Sequence, residues 1–277
     1  MTLTLGLVAN VFNEVNALPG WLETHLPYFD DVRVTHAGPQ GKRSTDGTIE
    51  LLERWGIHVD FDSIDDGFGA VRTRTIRRSP CDYVMLLDAD ERFYRSHHVL
   101  VCTGESTPQS EVDTVLQSYD FKEAAGKTLP IAMKAMRSNW ENMDRLGAKL
   151  RVNIVGNEPY NQGQRLRDIL DTYKPDAVAT MRRHWHDLSF RRPTQNWHEV
   201  PDWQQRIVRN HESIYFDPNV RVHECLHGAK DVYRADPTWG PFFEHCHFFF
   251  KKMEPVQREH DVRVYNAIHE GKVPPVD

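Results

Sequence analysis

The stretch DYVMLLDADERF, residues 82–93, runs a short apolar segment directly into three carboxylates. Its apolar part has the length and composition of a buried β-strand. Acidic side chains this close together repel each other, so they usually need a cation or a protein base nearby. Asp88 and Asp90 are therefore candidates to bind Mg²⁺ or Mn²⁺, hard ions whose sites pair one or two carboxylates with substrate phosphates. The alternative is an acidic strand-to-loop turn whose aspartates are only solvated.

Strands and helices alternate through the residues that precede this stretch. Apolar runs predict strands at 3–10, 31–36, 57–61 and 82–87, and helical spacing or capping residues predict helices at 16–26, 44–56 and 67–79. Strands that are separated by helices of this length form βαβ units, which predict a parallel sheet with right-handed crossovers.

Polar segments follow three of the predicted strands. They are Asn10 to Glu14, His36 to Asp46 and Asp88 to Glu91. Ligands of parallel sheets bind at the carboxyl ends of the strands. We therefore expect the three segments to meet at one edge of the sheet and to form the binding site there.

The pattern becomes less regular after residue 95. Residues 95–114 are predicted to form loops and short elements, 125–144 are ambiguous, and strands are predicted at 149–156, 205–209 and 213–216. Residues 248–269 are predicted to be helical. Because the chain has no internal repeat and no low-complexity linker, it is expected to form one continuous domain.

Composition excludes several broad classes of protein. With 277 residues, 39% hydrophobic and 27% charged, the chain is typical of an ordinary globular protein. No segment approaches the roughly 20 apolar residues of a membrane helix, and the N-terminus lacks the features of a signal peptide, so a cytoplasmic location is expected. The four cysteines show no CxxC spacing and are expected to be reduced.

Charge is distributed unevenly along the chain. The net charge of −6 argues mildly against nonspecific binding to nucleic acid. Basic residues cluster at 72–78 and 181–192, and such clusters are more often solvated faces than phosphate sites. The fifteen histidines concentrate after residue 184, which favours a metal or proton-transfer role in the C-terminal half.

Several segments, in order, resemble the family 2 glycosyltransferases of the GT-A fold. The first strand and Asn-Glu segment of that family resemble LVANVFNE (7–14). Its S-T-D-G-T helix start resembles STDGTIELLERWG (44–56), and its metal-binding DxD strand resembles DYVMLLDADERF. GFGAVRTRTI (67–76) resembles the segment before the fourth strand, and residues 205–228 resemble an Arg-rich strand pair that ends in V-H-E. The resemblance implies a Rossmann-like, mostly parallel central sheet flanked by helices, with an irregular C-terminal half on the acceptor side.

The resemblance also implies a division of the chain and roles for particular residues. Residues 1–95 would form the nucleotide-sugar-binding half of a single GT-A domain, 96–247 the acceptor-side half and 248–277 a helical tail. The implied nucleotide-sugar site consists of Asn10, Asn13, Glu14, Asp46, Arg72, Arg74 and Asp88. Within it Asn13 and Glu14 would lie near the base, and Arg72 or Arg74 near the diphosphate.

Two departures from the family pattern occur in these segments. His36 stands at the end of the second strand, where the family usually has Asp, and several extra residues follow it. The Asn that normally follows the arginine is replaced by Thr73 after Arg72 and by Thr75 after Arg74. The loop around the base, and with it the nucleotide preference, is therefore expected to differ.

The resemblance implies that the metal and the catalytic base are completed from the C-terminal half. Asp88 and Asp90 would bind the metal with a later histidine, first His223 and next His245 or His247. The base would be a carboxylate that takes the proton of the acceptor. The candidates are Asp202, which is favoured for its place before the QQR segment, together with Glu199 and Glu224.

The implied activity is an inverting, Mn²⁺- or Mg²⁺-dependent transfer of a sugar from a nucleotide-diphospho-sugar, most often a UDP-sugar. The acceptor would be a glycan or lipid-linked saccharide, or alternatively a modified base in DNA that the basic stretches would help to bind. Two lesser alternatives are a sugar-nucleotide pyrophosphorylase, whose Gly-rich first loop is missing here, and a zinc-binding module. The zinc ligands would be His223, Cys225, His245, Cys246 and His247.

Overall fold

A computed structural model describes residues 3–95, 97–104, 150–184, 202–219, 225–235 and 241–245, with single positions at 263, 266, 267 and 270. The helices are α1 (Leu18–His25), α2 (Thr48–Arg54), α3 (Phe68–Arg78) and α4 (Gln162–Tyr173). The first strands are β1 (Leu5–Val11), β2 (Asp31–Gly38), β3 (His58–Ser63), β4 (Tyr83–Leu86), β5 (Glu91–Arg92), β6 (His97–Gly104) and β7 (Leu150–Tyr160). The later strands are β8 (Ala177–His184), β9 (Asp202–Arg209), β10 (Tyr215–Phe216), β11 (Leu226–His227), β12 (Val232–Arg234) and β13 (Phe242–His245).

The main sheet has the strand order β3-β2-β1-β4-β9-β8-β13-β5, and β12 also pairs with β8. The four strands predicted before residue 88 are present and mutually parallel. β9 is antiparallel to both of its neighbours, β4 and β8, while β12 and β13 are parallel to β8. The prediction of a mostly parallel central sheet flanked by helices is therefore confirmed.

Helices pack on both faces of this sheet. Alpha-helix α1 buries Leu18, Trp21, Leu22 and His25, an i, i+3, i+4, i+7 set that lies on one face of a helix. This face and the apolar residues of α4 join the larger core cluster on one side of the sheet. On the other side, Ile76 of α3 packs with residues of β1, β4 and β9 in a second cluster.

The half after residue 95 contains more regular structure than its sequence indicates. Residues 97–104, predicted to be loop and short elements, form an eight-residue strand that pairs antiparallel with β7. Alpha-helix α4 and β8 were not predicted, because the alternation of polar and apolar residues there is masked by several arginines and aspartates. No helix in the described part of the chain is long and apolar enough to cross a membrane.

Candidate active site at the carboxyl edge of the sheet

The acidic motif forms a tight turn immediately after β4. The backbone N–H of Glu91 donates to the carbonyl of Asp88 at 2.9 Å, and Glu91 Oε2 accepts from the N–H of Asp88 at 3.0 Å. Asp90 and Glu91 are buried, whereas the side chain of Asp88 is 34% exposed. The turn therefore leaves Asp88 as the most accessible of the three carboxylates.

Arginines from three different elements surround this turn. Nη2 of Arg72, on α3, lies 3.2 Å from both carboxylate oxygens of Asp88. Nη2 of Arg206, on β9, lies 3.2 Å from Asp88 Oδ2 and 3.5 Å from Glu91 Oε1. Nη1 of Arg182, on β8, lies 3.2 Å from Glu91 Oε1. The carboxylates are thus not merely solvated, because guanidinium groups offset their mutual repulsion.

Burial dominates the protonation of Glu91. Loss of solvent raises the pKa of this carboxyl to about 8, and the neighbouring charge of Asp88 adds to the increase. The positive charge of Arg182 acts in the opposite direction. Burial therefore favours the protonated, neutral form of this carboxyl, in contrast to an ordinary surface glutamate.

A histidine of the strand that pairs with β5 lies at the same turn. Nε2 of His245, on β13, lies 3.5 Å from Oδ2 of Asp90, and both side chains are largely buried. Beta-strand β13 runs antiparallel to β5, and His245 pairs with Glu91 there. His245, second in order among the expected histidines, is thus beside the acidic motif, whereas His223 and His247 lie outside the described residues.

The segment after β1 is tied to the beginning of α2. Asp46 accepts hydrogen bonds from the N–H of Val15 at 3.0 Å, from the N–H of Thr48 at 3.0 Å and from the Thr48 hydroxyl at 2.6 Å. The N–H of Glu14 donates to the same hydroxyl at 2.8 Å. Gly47, between Asp46 and Thr48, has φ of +90°, which explains the glycine of the S-T-D-G-T segment.

A second set of hydrogen bonds closes the loop between β2 and α2. The N–H of Asn13 donates to the Ser44 hydroxyl at 2.9 Å, and Asn13 Oδ1 accepts from the N–H of Thr45 at 3.1 Å. Buried His36 accepts the N–H of Ser44 at Nε2, 2.9 Å away. Burial lowers the pKa of His36, which favours the neutral ring that can accept this bond. His36 therefore shapes the loop that carries Ser44.

The two arginines expected near a diphosphate face different partners. Arg72 contacts Asp88, but Arg74 is held by Asp62 and by Asp66, each 2.9 Å away. Thr75, one of the two threonines that follow an arginine where the resemblance expects Asn, donates to Asn10 Oδ1 at 2.6 Å and so links α3 to the end of β1.

The basic stretch at 72–78 is partnered within the protein rather than solvated. Arg78 also binds Asp62, at 2.9 Å, and Arg77 donates to Asn210 Oδ1 at 2.8 Å and to two backbone carbonyls. Together with the contacts of Arg72 and Arg74, these bonds occupy every arginine of the stretch. The expectation of a solvated face is therefore wrong, because acidic and carbonyl groups of neighbouring elements bind these guanidinium groups.

The candidate bases lie in a region that the structure describes only in part. Asp202 is the first residue of β9, and its backbone pairs with Arg182 near the carboxyl end of β8. Because β9 is antiparallel to β4, this start of β9 lies at the same edge of the sheet as Asp88. Glu199 and Glu224 lie outside the described residues.

The described residues contain no group of three or more histidine, cysteine, aspartate or glutamate side chains that could hold a metal ion by itself. Of the five residues considered for a zinc module, His245 contacts Asp90 and Cys225 is an exposed free thiol. The other three, His223, Cys246 and His247, lie outside the described residues.

Two site residues were not identified from the sequence. Arg206 lies in an irregularity of the β8–β9 pairing, where Val178 pairs with Ile207 but Ala179 pairs with Gln205, so that Arg206 is skipped. Such a bulge re-aims a side chain and leaves no periodic signal. Arg182 lies in the basic stretch 181–192, and only the pairing of β8 with β9 and β13 places it beside Glu91.

Buried groups beneath the turn hold it against α1. Arg92 donates from Nη1 to the carbonyl of Ala89 at 2.6 Å and from Nη2 to the carbonyl of Ala17 at 2.8 Å. The N–H of Phe93 donates to Nε2 of fully buried His25 at 2.9 Å. The segment that follows the acidic motif is therefore fixed to the first helix from two sides.

No protein-family model and no curated protein sequence matches this chain. Among solved structures, the chain is similar to glucosyl-3-phosphoglycerate synthase from Mycobacterium tuberculosis in complex with Mn²⁺, UDP and glucosyl-3-phosphoglycerate. That match has 22% identity and a TM-score of 0.27, and it covers 32% of this chain and 34% of that one.

The chain is also similar to S. aureus TarS. A structure of TarS residues 1–349 matches with 11% identity and a TM-score of 0.43, covering 96% of this chain and 65% of that one. A longer TarS structure matches with 11% identity and a TM-score of 0.42, and 39% of it is covered. The chain thus spans about a third of the synthase and less than two thirds of either TarS structure. Its fold is defined by the sheet topology described above.

Proposed function

We propose that this protein is a metal-dependent inverting glycosyltransferase that moves a sugar from a nucleotide-diphospho-sugar to a hydroxyl acceptor. One observation carries the proposal. Asp88 and Asp90 follow the central strand β4 at the carboxyl edge of the sheet, with His245 beside Asp90 and Arg72 beside Asp88. The family resemblance of the segments around Asn13, Asp46 and Asp88 supports the same reading. The bound Mn²⁺, Mg²⁺ and UDP of the synthase structures agree with it.

Asp90 and His245 fit as two ligands of a divalent ion whose coordination the substrate would complete. Two adjacent ligands about 2.1 Å from one ion in an octahedron lie about 3 Å apart, close to the 3.5 Å between Asp90 Oδ2 and His245 Nε2. Carboxylate and imidazole are both competent ligands of Mn²⁺, and the remaining positions would fall to diphosphate oxygens and water. When bound, the ion would neutralise the diphosphate and stabilise its charge as it leaves.

The nucleoside would lie at the carboxyl ends of the adjacent strands β1 and β2. Asn13 and Glu14 would lie near the base, and Asp46 would hold the loop around the nucleoside through its bonds to Val15 and Thr48. Arg72 would approach the diphosphate from the Asp88 side. Of the two arginines that the resemblance offers for the diphosphate, Arg74 is bound to Asp62 and Asp66 and would contribute only by keeping α3 in place.

The acceptor hydroxyl would lose its proton to a carboxylate as it attacks the anomeric carbon. We favour Asp202, whose backbone stands at the carboxyl edge beside the end of β8. Glu199 and Glu224 remain alternatives. The attack would come from the face opposite the leaving diphosphate, so the configuration at the anomeric carbon would invert.

A UDP-sugar is the proposed donor and a glycan or lipid-linked saccharide the proposed acceptor. A modified base in DNA is not favoured, because the basic stretch of α3 is bound internally rather than presented as a surface. The proposed division into a donor half (1–95), an acceptor half (96–247) and a helical tail (248–277) follows from the same family resemblance.

A nucleotide-sugar screen tests the proposal. The protein is mixed with UDP-, GDP- or TDP-sugars and Mn²⁺, and thermal stability and sugar release are measured. A donor at a hundred times its dissociation constant adds about 2.7 kcal/mol of stability, which corresponds to a shift of about 5 °C for a chain of this size. If no nucleotide-sugar shifts the melting temperature, the proposal is wrong.

A pair of variants sharpens the screen. Asp90→Asn removes the charge of the proposed metal ligand and should abolish the Mn²⁺-dependent part of the shift. Asp168→Asn, in the exposed outer part of α4 where the carboxylate contacts Gln164, is the control and should behave as wild type. A normal Mn²⁺ response in the Asp90 variant would remove the metal role of Asp90.

A further inference from the structure

Arg206 has more hydrogen-bonding capacity than its neighbours use. Its side chain is only 6% exposed, and Nη2 makes the contacts with Asp88 and Glu91. Nε and Nη1 are buried and have no hydrogen-bond partner within the part of the chain that the structure describes. Buried donors of a charged group nearly always have acceptors, so an unpaired guanidinium edge beside a binding site requires an explanation.

The contacts that Arg206 does make are long. Charge-assisted bonds between guanidinium and carboxylate are about 2.7–2.9 Å, and Asp62 meets Arg74 and Arg78 at 2.9 Å. Asp88 is instead shared between Arg72 and Arg206, at 3.2 Å from each. The guanidinium of Arg206 is therefore held more loosely by its carboxylate partners than those of Arg74 and Arg78 are.

Neutralising the acidic turn does not account for this side chain. A single positive charge beside Asp88 and Glu91 would serve that purpose, and Arg72 and Arg182 already supply one to each. A lysine would provide the same charge with three N–H donors instead of the five of arginine. What distinguishes arginine is its planar array of donors, which matches phosphate and carboxylate oxygens.

We propose that Arg206 binds an oxyanion of substrate, with Nε and Nη1 as donors, while Nη2 stays beside Asp88. The chemical class of the ligand is a phosphate or carboxylate. The identity of its carrier rests on the proposed glycosyl transfer: it is either the diphosphate of the donor or an anionic group on the acceptor.

The test uses Arg206→Lys, which keeps a positive charge beside Asp88 and removes the guanidinium donors. Arg209→Lys is the matched control, because Arg209 lies three residues along the same strand and contacts the Tyr83 hydroxyl at the other end of β4. Affinities of the full-length protein for UDP, uridine and inorganic pyrophosphate are measured with Mg²⁺ by calorimetry. Inorganic phosphate is then titrated into the UDP-saturated protein. Arg206→Gln replaces the lysine variant if that variant does not fold.

Loss of the donors should weaken oxyanion binding about 10- to 100-fold. If Arg206→Lys weakens UDP and pyrophosphate but not uridine, the oxyanion is the donor diphosphate. If UDP is unaffected and phosphate binding to the UDP complex is weakened, the oxyanion belongs to the acceptor. Unchanged affinity for every anion would overturn the role of Arg206. If wild type binds pyrophosphate through Arg206 but no nucleotide, the proposed glycosyl transfer fails while the oxyanion site stands.

Discussion

His25 makes the stability of this protein sensitive to mild acid, and replacing it should remove that sensitivity. The imidazole is fully buried, and its Nε2 accepts the N–H of Phe93 at 2.9 Å, which requires an unprotonated Nε2. Burial, and then the nearby charge of Arg92, lower the pKa of His25 well below its ordinary value of 6.5. The native state therefore keeps the ring neutral at a pH at which the unfolded chain binds a proton.

The sign and size of the effect follow from proton linkage. Well above pH 6.5 the ring is neutral in both states and contributes no pH dependence. Below that value the unfolded state binds more protons, so the free energy of unfolding falls by about 1.4 kcal/mol per pH unit until the native pKa is reached. At pH 5 the loss from His25 alone should approach about 2 kcal/mol.

Urea unfolding of wild type and His25→Leu at pH 7.5 and pH 5 measures this contribution. At pH 7.5 the variant should be less stable by about 1–3 kcal/mol, because the buried N–H of Phe93 loses its acceptor. At pH 5 the difference should shrink by about 2 kcal/mol, since only wild type is destabilised by protonation of residue 25. Phe29→Leu, which changes a ring in contact with His25, should cost the same at both pH values. A His25→Leu deficit that is equal at the two pH values would refute the reasoning.

Three further changes test the elements around the site. Asp46→Ala removes one hydrogen bond to the segment after β1 and two to Thr48 at the start of α2. It should lower the free energy of unfolding by about 2–3 kcal/mol in urea, whereas Asp168→Ala should have little effect. Gly47→Ala should destabilise the protein by about 1–2 kcal/mol, because residue 47 has a φ of +90°. Gly20→Ala, inside α1, should stabilise it by up to about 1 kcal/mol, because the nearest atom to an added Cβ is 3.6 Å away. Equal melting temperatures of the two variants would contradict this expectation. Asp62→Asn should weaken the ion pairs with Arg74 and Arg78 and lower the free energy of unfolding by about 1–3 kcal/mol. If this loss of stability does not shrink in high salt, ion pairing is not its cause.

Much of the first ninety residues could be predicted because their signals are local. Alternating apolar runs and capping residues indicated β1 to β4 and the three helices between them, with boundaries close to those observed. The carboxylates of Asp88 and Asp90 were recognised because they end a buried strand, and Asp46 because it precedes a helix. Their convergence at one edge also followed, since parallel strands place their carboxyl ends together.

The partners of those carboxylates depend on distant pairings. Arg182, Arg206 and His245 come from three strands that lie about 90 to 155 positions after the acidic turn. Three features of the sheet bring these side chains to Asp88, Asp90 and Glu91. They are the position of antiparallel β9 between β4 and β8, the irregular pairing at Arg206, and the addition of β13 beside β8.

Sequence alone therefore determined the parallel sheet and its acidic edge, because period, length and capping are properties of neighbouring residues. Tertiary structure alone decided which cations stand against the acids. It placed His245 against Asp90 and assigned Arg72 and Arg74 to different carboxylates. It also left Arg206 buried, with two donor nitrogens that meet no acceptor among the residues that the structure describes. The physical reason is that strand order and register are set by packing across the whole sheet, which no local pattern of residues records.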